Sequence, residues 1–215
     1  MHIKRKTTSQ FWPTAKTGTK YMAVPLHHRE SSVPIVVFVR DVLALVKNMK
    51  EMEKTLREKK ISVNGKIIKE PNYPIIFGDS IAISSIGKYF KVGLKGKRFD
   101  LLPVSEKEAD VKILRVVNKK ILPGKKIQVN FDNGQNLISN EKIETDNFVE
   151  FNNKSKKIVK IISLDKGVEV VVIKGKHCGK EGKLIQLSRE GENEIAHIKT
   201  NHGDLKVNSE SIYVK

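Results

Sequence analysis

Residues 171–185, VVIKGKHCGKEGKLI, gather Cys178, His177, three glycines and several lysines. Such a mixture could bind a metal, carry redox or nucleophilic chemistry, or cradle a phosphate. A phosphate-binding loop needs four residues between its first glycine and Gly-Lys-Ser/Thr. Here three residues separate Gly175 from Gly179, and Glu181 follows Lys180. A redox pair needs a second cysteine, and Cys178 is the only one in the sequence. Zinc could draw on His177, Cys178, His197 and His202. Neighbours on an extended chain point to opposite sides, however, and structural zinc favours paired ligands at short spacing. No metal and no cofactor are therefore expected. The lysines around Cys178 favour a thiolate, but no Asn/Asp orienting pattern accompanies it. What stands is a turn. Gly175, Gly179 and Gly182 are expected to permit positive φ in a tight arc between two strands. Lys174, Lys176, Lys180 and Lys183 would project from it, with His177 and Cys178 incidental.

The elements that position these residues begin with charge. The 215-residue chain has 41 Lys+Arg against 24 Asp+Glu, a formal charge of +17, which attracts polyanions. The apolar runs are far too short to span a membrane, and residues 1–18 contain no apolar signal core. One cysteine excludes an internal disulfide and fits a reducing cytosol. At 39% hydrophobic content, several small cores are expected rather than one large one. Nucleic acid leads as the partner. No membrane association and no homo-oligomer are expected.

Residues 1–33 show neither helical nor strand period and are expected to form a basic extended arm that orders on its partner. Lys4, Arg5, Lys6, His28 and Arg29 would meet phosphates, and Trp12, after Phe11, would stack on a splayed base. His27 and His28 diverge on an extended chain, so they read as polar contacts or phosphate ligands within the arm rather than metal ligands. Ser32 is a plausible cap, and Ile35, Phe38, Val39, Val42, Leu43 and Val46 make one apolar helical face. A second helix over 48–60 would turn Met49, Met52 and Leu56 inward. Asn64-Gly65 marks a type I′ hairpin, and a further strand pair is expected around Gly78-Asp79. Residues 89–164 read as strands, with a hairpin about Gly96, a capping box at Ser105 and Glu108, and another I′-type turn at Asn133-Gly134. Acids collect at Glu141, Glu144, Asp146 and Glu150, so this part is expected to have less polyanion contact or to turn one face away from the polyanion. Five strands after residue 165 suit a small SH3-like barrel. The fold class is therefore α+β and multi-module: arm 1–33, an αα–ββ unit 34–88, a central β-rich domain 89–164 and a barrel 165–215.

The αα–ββ unit resembles the S4-type RNA-binding domain through Arg40, Arg57, ISVNGKI and IIFGDSIAIS. GVEVVVIKGKHCGKEGKLI resembles the KOW motif. In this order behind a basic arm (KRK, then FWP), the chain resembles the small-subunit ribosomal protein S4e family of archaea and eukaryotes. That resemblance implies ribosomal RNA and neighbouring ribosomal proteins as partners, with no catalysis. Arg40, Arg57, Lys60 and Lys66 would form the S4-domain face. The end of the chain at Lys215 fits an archaeal form, as an expectation. The arm departs from the family: its Pro-Gly-Pro-His run stands here as AVPLHH. Two rivals remain. GKRFDLL, with Asp100, superficially resembles the nucleophile setting of some RNA pseudouridine synthases, and a KOW-containing transcription factor would share the last module.

Overall fold

The computed structural model describes residues 2–124, 126–139, 143–191, 193–200 and 203–214. The chain is mostly β with few helices and divides into two units, Met1–Asp110 and Val111–Lys215.

In the first unit the arm is folded. β1 (Ile3–Lys4) pairs antiparallel with β2 (Tyr21–Met22), and a 3-10 turn at Arg5–Thr7 follows β1. The Arg5 guanidinium bridges the loop between them. Nε donates to the Thr19 carbonyl at 2.7 Å, Nη1 to the Ala15 carbonyl at 2.6 Å, and Nη2 to Thr19 Oγ1 at 2.9 Å. Phe11 and Trp12 are buried in the same core as Ile35, Ile81 and Phe99. The Phe11 ring lies 4.6 Å from that of Phe99, and the Phe11 carbonyl accepts the Phe99 N–H at 2.8 Å. The expectation of an arm with little structure is thereby corrected. Two large rings bury enough apolar surface to offset the entropy of ordering the segment.

β3 (Val33–Pro34) leads into α1, which is α-helical over Ile35–Val37 and continues as a π-helix over Phe38–Val42. The helix stops at Leu43, short of the expected Val46, and Ala44 takes a φ of 52°. Residues 35–39 are all buried, so the turn is enclosed on every side rather than along one stripe. Ser32 is not its cap. It is fully buried, and its hydroxyl donates back to the His27 and His28 carbonyls at 3.2 and 2.7 Å. α2 (Met49–Arg57) is capped by Asn48, whose side chain accepts the Glu51 N–H at 3.0 Å. Met52 and Leu56 are buried, but Met49 is exposed, contrary to the expected inward face.

The sheet of this unit uses β4 (Ile61–Val63), β5 (Lys66–Ile67), β7 (Ser80–Ile83), β8 (Lys88–Lys95) and β9 (Arg98–Val104). Its order is β5-β4-β7-β8-β9, with β6 (Pro74–Ile75) paired separately to β3. Asn64 and Gly65 both take positive φ, 51° and 75°, as the I′ turn requires. No hairpin forms around Gly78-Asp79, because β6 and β7 take different partners. The buried Asp79 carboxylate instead shapes that loop, accepting the Ile76 N–H and Asn64 Nδ2, each at 2.7 Å. The expected boundary at 88/89 also shifts. Pairing of Ser80 with Lys91 through Ile83 with Lys88 makes the Gly96 hairpin part of this first sheet. α3 (Glu106–Ala109) follows, with the capping box of Ser105 and Glu108 in place.

In the second unit β10 (Val111–Leu122) is the central strand of a sheet with β11 (Lys126–Phe131), β12 (Asn136–Ser139), β13 (Phe148–Asn152) and β14 (Lys157–Ile162). The order is β12-β11-β10-β13-β14. An irregularity at Val116/Asn118 lets one end of β10 pair with β11 and the other with β13. Gly134 has a φ of 80° while Asn133 lies outside the left-handed region, and Gly134 N–H donates to Phe131 at 3.1 Å. The turn is therefore a longer loop with one left-handed residue, not the expected I′ turn. β15 (Glu169–Val172), β16 (Glu181–Glu190), β17 (Asn193–Thr200), β18 (Gly203–Asn208) and β19 (Ile212–Val214) form the last sheet in the order β18-β17-β16-β15-β19. The boundary at 164/165 separates two sheets of one unit. Arg115, on β10, donates to the Ser209 carbonyl at 2.8 Å and pairs with Asp146 at 2.5 Å. Tyr213 donates its hydroxyl to Asp132, and its ring meets Phe148 edge-on at 5.2 Å.

Candidate nucleic-acid interface

The loop between β15 and β16 keeps the glycine logic at two of its three positions. Gly175 and Gly179 have φ of 85° and 84°. Gly182 does not; it sits in β16 opposite Val170. A Cβ there would press into the Lys199 carbonyl and come within 2.7 Å of Ile198 Cγ2, so close strand approach, not positive φ, demands glycine. Cys178 is not incidental either. It is buried, and its Sγ bonds the Ile173 carbonyl at 3.2 Å, fastening the inside of the loop. His177 is half-buried. Lys174, Lys176 and Lys180 stand exposed on this loop and Lys183 on the adjoining strand. His197 Nε2 lies 3.0 Å from Ser188 Oγ, away from the loop, and His202 lies outside the described residues. Among the described residues no three His, Cys, Asp or Glu side chains gather to hold a metal.

On the first unit, the expected S4-face cations differ in freedom. Arg40 is held by its neighbour Asp41 through two hydrogen bonds, at 2.6 and 3.0 Å, and hydrogen bonding to Asp41 raises its already high pKa. Lys60 pairs with Glu58 and holds that carboxyl below its usual range. Arg57 is largely exposed and only 3.8 Å from Glu53, a loose pair. Lys66 is exposed beside the Asn64-Gly65 turn.

In the arm, Lys4, Lys6, His28 and Arg29 are exposed, with His28 at a φ of 49°. The His27 ring lies 5.1 Å from that of His28, and its pKa is lowered by partial burial and then by His28. Trp12 is only 3% exposed, which corrects its assignment as a stacking residue: its faces belong to the core. Arg5 commits three N–H groups to its own loop.

The folded arm also builds a feature with no signature along the chain. A cleft of about 360 Å³ opens between the arm and the β8–β9 tip. It is lined by Arg5, Lys6, Lys16 and Arg98, by Gln10 and Trp12, by the hydroxyls of Thr8, Ser9 and Thr14, and by Ala15. Among the described residues no carboxylate lines it. Lys16 and Arg98 are far apart in sequence, so no local spacing announces the cluster. A second cleft of about 320 Å³, in the other unit, mixes Arg115 and Arg189 with Asp146, Glu194 and Glu210. Asp100 lines neither cleft; its Oδ1 accepts the N–H of the next residue, Leu101, at 2.8 Å in mid-strand. Of the expected acidic stretch, Asp146 is paired with Arg115, Glu144 is exposed, and Glu141 lies outside the described residues.

Comparison with known proteins adds four findings. Residues 86–158 match the model of the ribosomal family S4e. The small ribosomal subunit protein eS4 of Methanocella arvoryzae is 33% identical over 220 residues, covering 99% of this chain and 93% of that protein. The eS4 of Methanosphaera stadtmanae is 29% identical, covering 99% and 91%. Among solved structures, the 30S ribosomal protein S4e of Thermoplasma acidophilum superposes with a TM-score of 0.72 at 24% identity, covering 86% of this chain and 94% of that one.

Proposed function

Since the chain belongs to the small ribosomal subunit protein eS4 family, we propose that it is a structural constituent of the small subunit, binding ribosomal RNA in the cytoplasm. The observation that carries this reading is the 33% identity to an archaeal eS4 across 99% of the chain. The formal charge of +17 supports it physically. Affinity comes mainly from cations on phosphates with release of counterions, and the RNA is recognised by shape and single-stranded elements. The αα–ββ part of the first unit serves as an S4-type module presenting Arg57 and Lys66, with Arg40 and Lys60 tethered beside them. The last sheet serves as a KOW-type barrel whose loop presents Lys174, Lys176, Lys180 and Lys183. Neighbouring ribosomal proteins complete the partners, and the chain acts as a single copy without catalysis of its own.

Filter binding of the purified chain to small-subunit ribosomal RNA tests this reading. Affinity is expected to fall by about 10³-fold or more between about 50 and 200 mM salt, as for six or more phosphate contacts. Absent or salt-insensitive binding would sink it.

A further inference from the structure

We propose that the cleft between the arm and the β8–β9 tip is a phosphate-group site. Four cations, Arg5, Lys6, Lys16 and Arg98, line one concavity with no carboxylate among the described residues of its lining. Like charges gathered this way repel each other, and an anion between them relieves that repulsion. Lys6, Lys16 and Arg98 are exposed and carry no ion pair or side-chain hydrogen bond among the described residues. Their positions are nonetheless fixed from behind. Arg5 ties the loop carrying Lys16 through the Ala15 and Thr19 carbonyls. The bond from Phe99 N–H to the Phe11 carbonyl ties Arg98, one residue earlier, to the arm. Gly18 turns this loop at a φ of 131°, a conformation that side-chain-bearing residues rarely adopt. The Ser9 and Thr14 hydroxyls add neutral donors to the wall. A guanidinium fork with two ammonium groups suits a tetrahedral oxyanion, through charge-assisted hydrogen bonds.

The phosphate could belong to an RNA backbone, which rests on the ribosomal reading above, or to a small free phosphate ester. The test separates them. Trp12 is the sole tryptophan and lines the cleft, so its fluorescence reports occupancy. Titrating the full chain with pyrophosphate at low ionic strength is expected to give a saturable change that chloride at matched ionic strength does not. The double variant Lys16→Gln/Arg98→Gln should lose at least tenfold in that affinity. Lys157→Gln/Lys160→Gln, a charge-matched control on exposed β14 positions, should not. For ribosomal RNA, the first variant should flatten the slope of log affinity against log salt by about 1.4 to 1.8, the share of two phosphate contacts. Pyrophosphate binding with an unchanged RNA slope assigns the site to a free phosphate ester. A flattened slope assigns it to RNA. Neither a saturable pyrophosphate response nor any change of slope overturns the site. That result would leave the ribosomal reading standing, because wild-type RNA binding is measured separately.

Discussion

Replacing Trp12 with alanine is expected to cost about 3–5 kcal/mol of stability. The melting temperature of the first unit should fall on the order of 10–20 °C. Trp12 is 3% exposed, and its neighbour Phe11 packs on Phe99 with ring centroids 4.6 Å apart. Removing the indole takes a large apolar ring out of the core it shares with Ile35, Ile81 and Phe99, which carries both a transfer and a cavity cost. Deleting residues 1–20 should cost more still, because it also removes the Phe11 carbonyl that accepts the Phe99 N–H. Reading the arm as disordered until bound gives the opposite expectation, an unchanged melting temperature with weaker RNA binding. Thermal unfolding by circular dichroism decides between them. A wild-type melting curve for Trp12→Ala would return the arm to solvent.

The second large effect lies at Asp79. Its carboxylate, 3% exposed, accepts the Ile76 N–H and the Asn64 side-chain amide. Asn64 in turn accepts from Ser80 N–H at 3.0 Å and Ser80 Oγ at 3.2 Å. One carboxylate thus fixes the β6–β7 loop and the turn of the β4–β5 hairpin together. Asp79→Ala leaves two half-buried donors without their acceptor, and hydrogen bonds to a charged group contribute roughly 1.5–3 kcal/mol each. A loss of about 3–5 kcal/mol is expected in urea unfolding. Asp79→Asn, which keeps the shape and one acceptor oxygen, should recover part of it. Equal stability of wild type and Asp79→Ala would mean that water or a shifted loop satisfies both donors.

Much of the fold was legible because local chemistry agreed with the final structure. Asn64-Gly65 had one conformational use, and it has that use here. The Ser105/Glu108 box and the five strands of the last sheet were equally local. What failed depended on partners distant in sequence. Gly78-Asp79 reads as a hairpin until one sees that β6 belongs to β3. Residues 35–46 read as one amphipathic face because periodicity does not show that the first turn is enclosed all round. Gly182 looks like a turn glycine, and only its approach to Lys199 across the sheet explains it. For the candidate interface, the sequence located the basic segments but not their freedom. Arg40 and Lys60 turn out to be tethered by adjacent acids, Trp12 is interior, and Arg5 serves its own loop. Lys16 and Arg98 meet only after the arm folds back, so their cluster had no signature along the chain.

The central claim is that this chain is a structural part of the small ribosomal subunit. The most direct measurement is its position when a lysate of cells expressing it is sedimented through sucrose at moderate salt. The chain is expected in the small-subunit fraction, and a high-salt wash should release it, since salt weakens phosphate contacts. Its absence from that fraction, with recovery at the top of the gradient or with RNA polymerase, would contradict the account.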